Sequence, residues 1–313
     1  MSGRAAYSFS ELDYYHINLI IEFALNNIQK GERYLSRIKR KIGLHLRLET
    51  TLVELIGKAR RLGVDFFQCF LTLKTAGRIM PLNTSDIKEF IHLRRKFFND
   101  IYLHVSYWVN LSTVTYNPHR LFKKELAMAK RLEFTHVIFH PGSAKGAEKR
   151  VEGIDALART MNNIVKKEPE FTFVIENVAQ GPPSIGGDLH DFRMLLEKID
   201  QPDKISFCID TGHAYSFGYD LSDGRYHDSF LDLVEETVGI KRVVLLHVND
   251  TLEPMGSHID RHQAIGEGNI GQEMLKKFVL HSRIKNIPLL AEPPIMSEDE
   301  LKGELEKITS WHV

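Results

Sequence analysis

The sequence predicts an α/β protein built as a (β/α)₈ barrel, the TIM-barrel fold. From residue 42 onward, eight short runs rich in β-branched and aromatic residues alternate with segments whose apolar residues recur every three or four positions. A chain of 313 residues is long enough for one such barrel. Side chains able to bind metal ions end most of the runs, where barrel active sites lie. A doubly wound parallel sheet is the alternative that strand count alone leaves open.

The eight predicted strands are apolar at their centres. In chain order they are IGLH (42–45), VDFFQCFL (64–71), DIYLHV (100–105), HVIFHP (136–141), FTFVIEN (171–177), ISFCIDT (205–211), RVVLLHVN (242–249) and PLLAEP (288–293). The segments between them have helical spacing. In the segment 121–133 a single stripe would face the barrel, formed by Leu121, Phe122, Leu126, Ala129 and Leu132. Strands and helices in this alternation favour parallel strands joined by crossover helices.

Residues 1–41 precede the first strand and are predicted to form a helical extension, followed by a barrel domain over 42–313. SELD at 10–13 resembles a helix-capping box, and an amphipathic run follows as far as Ile28. Between residues 30 and 47 the chain carries seven lysines and arginines against one glutamate. A solvated helix on the outside of the barrel is the preferred interpretation, and contact with phosphates is the alternative.

Charge and cysteine content limit the classes of function. Lysine plus arginine and aspartate plus glutamate both total 41, so nucleic-acid binding would need a local patch rather than a global field. No apolar stretch approaches the ~18 residues of a membrane span, and no signal or transit peptide is predicted. Cys69 and Cys208 are the only cysteines, which excludes a disulfide framework. We therefore expect a cytoplasmic protein with no membrane association.

Nine metal-capable residues are predicted to share one rim of the barrel. Six end predicted strands, and they are His104, His140, Glu176, Asp210, His247 and Glu292. His213 follows Asp210 by three residues, and Asp260 and His262 lie in the loop after the seventh strand. Residues i and i+2 of an extended segment point the same way, so Asp260 and His262 can bind one ion together.

The residue types in this set indicate metal chemistry. Five imidazoles and four carboxylates crowded at one rim need counter-charge, which divalent metals supply. The absence of thiolates suits zinc or another borderline first-row ion and argues against calcium or an iron–sulfur cluster. Nine ligands fit two or three ions that keep open positions for water or substrate. Such multi-metal sites are used for in-line phosphoester displacement.

Two other functions stay open at this point. A sugar isomerase or epimerase on the same barrel would bind one divalent ion through Glu176, Asp210, His247 and Glu292. That interpretation leaves the other five ligands unexplained. A catalytically inactive nucleic-acid-binding module would be expected to lack part of such a ligand set. The number of ions bound separates the three: two or three for phosphoester displacement, one for an isomerase and none for a binding module.

Several longer motifs resemble endonuclease IV, the zinc-dependent apurinic/apyrimidinic endonuclease family. They occur in the family's order and spacing, and they are VIFHPGS, VIENVAQG, FCIDTGHAYSFGYDL, HVNDTLEPMGSHIDRHQAIGEGNIG and LLAEPP. The resemblance covers residues 42 to about 310. All nine metal-ligand positions of the family's pattern are filled in kind.

The resemblance implies a ligand set for three zinc ions per chain. His104, His140 and Glu176 would hold the first, Glu176 would bridge to a second held also by Asp210, His247 and Glu292, and His213, Asp260 and His262 would hold the third. In the family a hydroxide shared by the first two ions attacks the phosphate 5′ to an abasic deoxyribose. The third ion stabilises the departing 3′ oxygen, and the products carry a 3′-hydroxyl and a 5′-deoxyribose phosphate. Glu176 and Glu292 are the expected catalytic carboxylates. Manganese or iron is a possible substitute, since ligand type alone does not fix selectivity.

The resemblance also implies DNA contacts. Tyr107 and Trp108 match the positions of wedge residues that enter the duplex while the abasic nucleotide flips out. Arg261, between two third-zinc ligands, is another expected contact. After the second strand the chain reads FLTLKTAGRI and lacks the family's usual lysine- and arginine-bearing motif, so Lys74 is the nearest candidate there. The expected partner is double-stranded DNA containing abasic sites, bound by a monomer associated with the nucleoid; removal of 3′-blocking groups is a further activity left open.

GEGNIG at 266–271 matches the G-x-G-x-x-G pattern of dinucleotide-binding loops. The match is misplaced, because the motif follows the seventh strand rather than opening a first βα turn. The resemblance to endonuclease IV implies instead that this stretch closes the loop that carries Asp260 and His262. The first strand also departs from the family pattern, since His45 is retained but Arg47 stands at a serine position.

Overall fold

Eight parallel strands close into a barrel in the computed structural model, which describes residues 40–73, 78–113 and 116–311. The strands are β1 (Ile42–His45), β2 (Phe66–Cys69), β3 (Tyr102–His104), β4 (His136–Phe139), β5 (Thr172–Glu176), β6 (Ile205–Asp210), β7 (Val243–His247) and β8 (Leu289–Ala291). Each pairs with the next, and β8 pairs with β1. The predicted TIM barrel is confirmed, and closure excludes the doubly wound sheet. The predicted extension lies outside the described residues except at its last two positions.

Nine α-helices surround the strands in the described residues. They are α1 (Leu52–Leu62), α2 (Thr84–Phe97), α3 (Tyr116–Arg131), α4 (Arg150–Lys167), α5 (His190–Leu196), α6 (Thr211–Phe217), α7 (His227–Thr237), α8 (Gln272–Val279) and α9 (Glu298–Ser310). Single 3₁₀ turns span Ala147–Lys149, Pro202–Lys204 and Ile240–Arg242. A small hairpin after β2 pairs Thr72–Leu73 with Arg78–Ile79. No helix of these residues is long and apolar enough to cross a bilayer.

Local signals explain where the helices begin and end. The Thr51 side chain accepts the amide of Glu54 at the start of α1, and Gly63, with φ 70°, ends that helix. Helix α3 begins five residues before the predicted segment and ends at Arg131. Its first turn is polar, so apolar spacing could not reveal it. The predicted stripe packs inward, with Phe122, Leu126, Ala129 and Leu132 buried.

An apolar layer fills the barrel interior below the rim. It contains one residue from each of seven strands: Phe66, Tyr102, Ile138, Val174, Cys208, Leu245 and Leu290. In β1 this position is Gly43, where a Cβ atom would lie 2.8 Å from the Phe66 ring. Successive side chains alternate between the faces of a strand, so the residue two further along points inward again. That next layer consists of His45, Gln68, His104, His140, Glu176, Asp210, His247 and Glu292, which places the polar residues of all eight strands together.

His136 begins β4 near the opposite end of the barrel, with its ring 4.1 Å from that of Tyr102. Burial lowers the pKa of His136 to about 4, opposed by the charge of Asp100 and assisted by that of Lys41. The unfolded chain, in which this pKa returns to about 6.5, therefore binds more protons between those values. We expect the unfolding free energy to fall as pH drops from 7 to 5, with His136 contributing about 2 kcal/mol.

Denaturant unfolding with a chelator present, at pH 7 and pH 5, measures this contribution. His136→Gln should unfold with a smaller loss between the two pH values than the wild type. Equal losses in both proteins would show that the pKa of His136 is the same in the folded and the unfolded chain.

Candidate metal centre

Glu176 lies at the centre of the rim cluster, at the end of β5, and is fully buried. Its Oε2 atom lies 3.1 Å from His104 Nε2 and 3.4 Å from His140 Nε2. Its Oε1 atom lies 2.9 Å from His247 Nδ1 and 3.4 Å from His213 Nδ1. One carboxylate thus faces four imidazoles, two through each oxygen, which is the geometry of a bridging ligand.

A second group of ligands forms beside the Oε1 atom of Glu176. His247 Nδ1 lies 3.2 Å from Glu292 Oε2 and 3.7 Å from Asp210 Oδ2. Donor atoms of Glu176, Asp210, His247 and Glu292 all lie within 4.8 Å of one another. The strand ends of β5, β6 and β7 and the residue just after β8 contribute them, so closure of the barrel creates the group.

A third group lies where the loop after β7 folds over the rim. The Oδ1 atom of Asp260 lies 3.1 Å from His213 Nε2 and 3.6 Å from His262 Nε2. Asp210 also takes part, because its Oδ2 atom is 3.7 Å from His262 Nε2 and it groups with both histidines. Asp210 caps helix α6 by accepting the amide of His213 at 2.7 Å, which fixes both side chains. Asp210 therefore stands between the second and third groups.

The donor atoms of this cluster suit metal ions. The Nε2 atoms of His140 and His262 are buried without a hydrogen-bond partner among the described residues. Leaving such an atom unsatisfied costs about 1–3 kcal/mol, which a bound cation would remove. His104 donates its Nδ1 proton to the Val105 carbonyl at 2.9 Å. Its Nε2 atom is therefore the nitrogen that faces Glu176 and that would bind an ion. A ring fixed by its other nitrogen is usual for metal-binding histidines.

The charges of the cluster depend on one another. Burial favours the neutral carboxyl, but the charges of His247 and His140 hold the pKa of Glu176 well below its usual range. Burial also opposes the charged form of His213, yet Asp210 and Asp260 raise the pKa of that imidazole well above its usual value. Metal-free, Glu176 thus favours its charged form and His213 its protonated form. Metal binding at His213 would displace that proton.

Gln68 is a fully buried member of the cluster that sequence reasoning missed. Its Nε2 atom donates to Glu292 Oε1 at 2.6 Å and to His45 Nδ1 at 3.0 Å. Its Oε1 atom accepts from His247 Nε2 at 3.2 Å. These bonds leave Glu292 Oε2 and His247 Nδ1 facing each other and the carboxylates of Glu176 and Asp210. Gln68 could have been found from its position, because it lies two residues after Phe66 and therefore also points into the barrel. It was missed because glutamine is not a usual metal ligand.

Two asparagines position Asp210 and Glu292. Asn249 donates to Glu292 Oε2 at 3.1 Å and to the Asp210 carboxylate, and its own oxygen accepts the Glu292 amide at 2.8 Å. Asn177 accepts the Asp210 amide at 2.7 Å and donates to its carbonyl at 3.1 Å. Asn177 directly follows the predicted ligand Glu176, and Asn249 lies two residues after His247. Nothing in the neighbouring sequence shows which backbone groups the two asparagines bind.

Asp250 explains the glycine-rich motif at 266–271. Its buried carboxylate accepts backbone amides from Gly266, Gly268 and Gly271 at 3.0–3.4 Å, and from Ile270 at 3.0 Å. A Cβ atom on Gly268 would lie 2.3 Å from Asp250 Oδ1, so only glycine fits. The motif therefore wraps an internal carboxylate instead of a phosphate, and it closes the loop carrying Asp260 and His262.

The residues expected to contact DNA differ in their exposure and in their partners. Tyr107 and Trp108 follow β3 and are exposed by 55% and 59%, with the Tyr107 ring 5.2 Å from that of His140. The Arg261 side chain is 72% exposed and pairs with Glu253 at 2.7 Å. Lys74 lies outside the described residues. The structure thus brings the exposed Tyr107 ring to the edge of the cluster, with exposed Trp108 next to it in the chain, and leaves Arg261 in an ion pair on the surface.

The fold and the ligand cluster define a class, the xylose isomerase-like TIM barrels, whose family model matches residues 56–311. A protein of Methanosphaera stadtmanae named probable endonuclease 4 is 28% identical over 85% of this chain and 96% of its own length. Another so named, from Halorhodospira halophila, is 31% identical over 74% of this chain and 81% of its own. Within that class, the chain belongs to the endonuclease IV family.

Solved structures agree with this assignment. The crystal structure of endonuclease IV from Thermus thermophilus is 27% identical, with a TM-score of 0.70 over 87% of this chain and 98% of that one. A D-tagatose 3-epimerase-like protein superposes with a TM-score of 0.63 at 20% identity. At that identity the second likeness concerns the fold alone.

Proposed function

We propose that this chain is a zinc-dependent DNA-repair endonuclease that hydrolyses the phosphodiester 5′ to an abasic site, leaving a 3′-hydroxyl and a 5′-deoxyribose phosphate. The observation that carries the proposal is the nine-ligand cluster centred on Glu176, which faces histidines through both of its oxygens. A single-ion sugar isomerase would use only the second ligand group. It would leave the buried His140 and His262 nitrogens unsatisfied.

Three ions would be held by the three ligand groups. His104, His140 and Glu176 would hold the first; Glu176, Asp210, His247 and Glu292 the second; and His213, Asp260 and His262 the third, with Asp210 beside it. Bound zinc would supply a nucleophile at neutral pH and stabilise charge on the attacking and leaving oxygens.

The chain's own residues hold this arrangement in place. Glu176 keeps two ligand groups a fixed distance apart, because its carboxylate is buried at the end of a strand. Gln68 and Asn249 fix the two oxygens of Glu292 from opposite sides. Glu176 and Glu292 are therefore the carboxylates on which the geometry of the reacting phosphate most depends.

The rim loops would bind the duplex. Tyr107 and Trp108 present apolar rings beside the ligands, where insertion into the stack would favour an extrahelical abasic nucleotide. Arg261 would contact a phosphate after leaving Glu253, and Lys74 is the proposed contact of the loop after β2.

Incubation with a duplex carrying one abasic analogue, beside an intact duplex, tests the function. We expect incision 5′ to the lesion with a 3′-hydroxyl end, no cut in the intact duplex and about three zinc ions per chain. Protein carrying one ion per chain and no incision would favour sugar chemistry. A full complement of metal without incision would refute the proposed substrate.

Asp250→Asn is expected to weaken the third ion selectively. The amide places an NH₂ group among the backbone N–H donors of the glycine-rich motif, which costs about 1–3 kcal/mol and loosens the loop that carries Asp260 and His262. Metal analysis after dialysis should find about two zinc ions per chain rather than three. Glu253→Gln, an amide substitution in the same loop, is the matched control and should keep three. Three ions in both variants would separate the motif from metal binding.

A further inference from the structure

A basic groove lies on the outer wall of the barrel, between the hairpin after β2 and helix α3. Its cavity of about 730 Å³ is lined by four cations, Arg78, Arg120, Lys124 and Arg131. Leu121 and Met128 contribute to its apolar floor. All four cationic side chains belong to exposed residues. The groove does not include any of the metal ligands.

The charge of the groove is not neutralised within the described residues. Most other exposed arginines of the described residues form ion pairs, such as Arg95 with Glu133 and Arg193 with Glu236. None of the four groove cations has a carboxylate within 4.0 Å among the residues described. The hairpin and the start of α3 supply none, since 70–85 and 105–124 contain no aspartate or glutamate. Glu133, two residues after Arg131, pairs with Arg95 instead.

Glu125 is the only acidic residue of α3, and it turns away from the groove. It is fully buried, and its Oε1 atom accepts the amide of Ser106 at 3.1 Å. The exposed charged side chains described on this helix are therefore all cations, on a chain whose formal charge is zero. Among them Lys130, outside the groove, pairs with Glu168. Such a concentration of like charge raises the free energy of the protein unless an anion binds there.

The spacing of the cations suits a nucleic-acid backbone. Arg120, Lys124 and Arg131 follow one stripe of α3, and eleven residues at 1.5 Å each span about 16 Å. One strand of B-DNA carries a phosphate every ~3.4 Å of helix axis, so four or five phosphates would lie along that distance. The apolar floor would contact deoxyribose.

The groove begins at the same rim as the metal ligands. Helix α3 follows the loop that carries Tyr107 and Trp108, and the strand containing Arg78 belongs to the hairpin that follows β2. We propose that the groove binds the phosphate backbone of the duplex flanking the lesion, an inference that rests on the proposed function. A flank in this groove would run down the side of the barrel.

The test replaces three groove cations together, as Arg120→Gln, Lys124→Gln and Arg131→Gln. Equilibrium binding is measured over a salt series with abasic duplexes of about 12 and about 30 base pairs. On the long duplex we expect the salt dependence, log Kd against log salt, to fall in slope by about 2 to 3 and affinity to fall about tenfold or more. The short duplex should bind nearly as before, and its turnover at saturation should stay within about twofold.

Lys241→Gln, Lys277→Gln and Lys285→Gln form the matched control, since these exposed lysines lie near β7 and β8, across the barrel from β3. Their removal changes the net charge equally and should leave the slope unchanged. Equal losses in both triple variants, or on both duplexes, would overturn the inference. Loss of binding to a polyglutamate peptide with DNA binding unchanged would assign the groove to an acidic protein and also overturn it.

The outcomes separate this inference from the proposed function. The groove variant could show a reduced slope of log Kd against log salt on a duplex that the protein does not cut. That result would support DNA binding by the groove and reject the nuclease activity. Incision with an unchanged slope would retain the nuclease and reject the groove.

Discussion

Glu176→Gln is expected to lower the rate of incision at an abasic site by about a thousandfold or more. The substitution keeps the size of the side chain but removes its charge and replaces one oxygen by NH₂. Either the pair His104 and His140 or the pair His213 and His247 would then face a donor instead of an acceptor. The first and second ligand groups lose their shared carboxylate at once. We therefore expect Glu176→Gln to lower the affinity for both ions and to remove the bridge between them.

Single-turnover kinetics with saturating enzyme measures the loss in the chemical step, and metal analysis of the same sample measures ion content. Glu267→Gln, which alters an exposed carboxylate in the rim loop outside the ligand groups, is the control and should incise at near the wild-type rate. A Glu176→Gln protein that incises within about tenfold of wild type would show that Glu176 does not bridge the reacting ions.

Removal of metal is expected to abolish turnover and to remove the preference for abasic over intact duplex. The chain is formally neutral with its histidines neutral and its ligand carboxylates counted, and each bound divalent ion would add two positive charges at the rim, less any histidine proton that it displaces. These ions would therefore create much of the local positive potential that attracts a phosphate. Without them, the carboxylates Glu176, Asp210 and Glu292 stand where the phosphate should bind.

Chelator-treated protein, zinc-restored protein and untreated protein are compared by equilibrium binding to abasic and intact duplexes. We expect at least about tenfold weaker binding of the abasic duplex after chelation, and recovery with zinc. Circular dichroism establishes that the treated chain is folded. Unchanged affinity of folded, metal-free protein would show that the groove and the rim loops bind DNA by themselves.

The sequence was informative wherever a local rule decides position. Strand period and strand ends were enough to place His104, His140, Glu176, Asp210 and His247 on one rim, because alternate residues of parallel strands point to the same side. Helix spacing located α3 but not its first turn, which has no apolar residue to show the pattern.

Other features depend on strands and loops that meet only in the folded barrel. Gln68 contacts Glu292 across 224 positions of sequence, and its role depends on β1 lying between β2 and β8. Asp250 carried no signal of its own in the sequence, and the glycine-rich motif was expected only to close the loop. The folded chain shows that the motif binds the Asp250 carboxylate. Motif spacing describes each partner separately and cannot show that one binds the other.

The sequence by itself determined the barrel, the family and the nine candidate ligands, because these follow from short-range periodicity and from residue types at strand ends. Only the tertiary structure decided that Asp210 stands between two ligand groups, that Asp250 organises the loop of Asp260 and His262, and that Arg78 shares a groove with α3. These relations depend on the register and closure of the barrel. They are set by packing among distant segments, for which no local pattern of residues carries a signal.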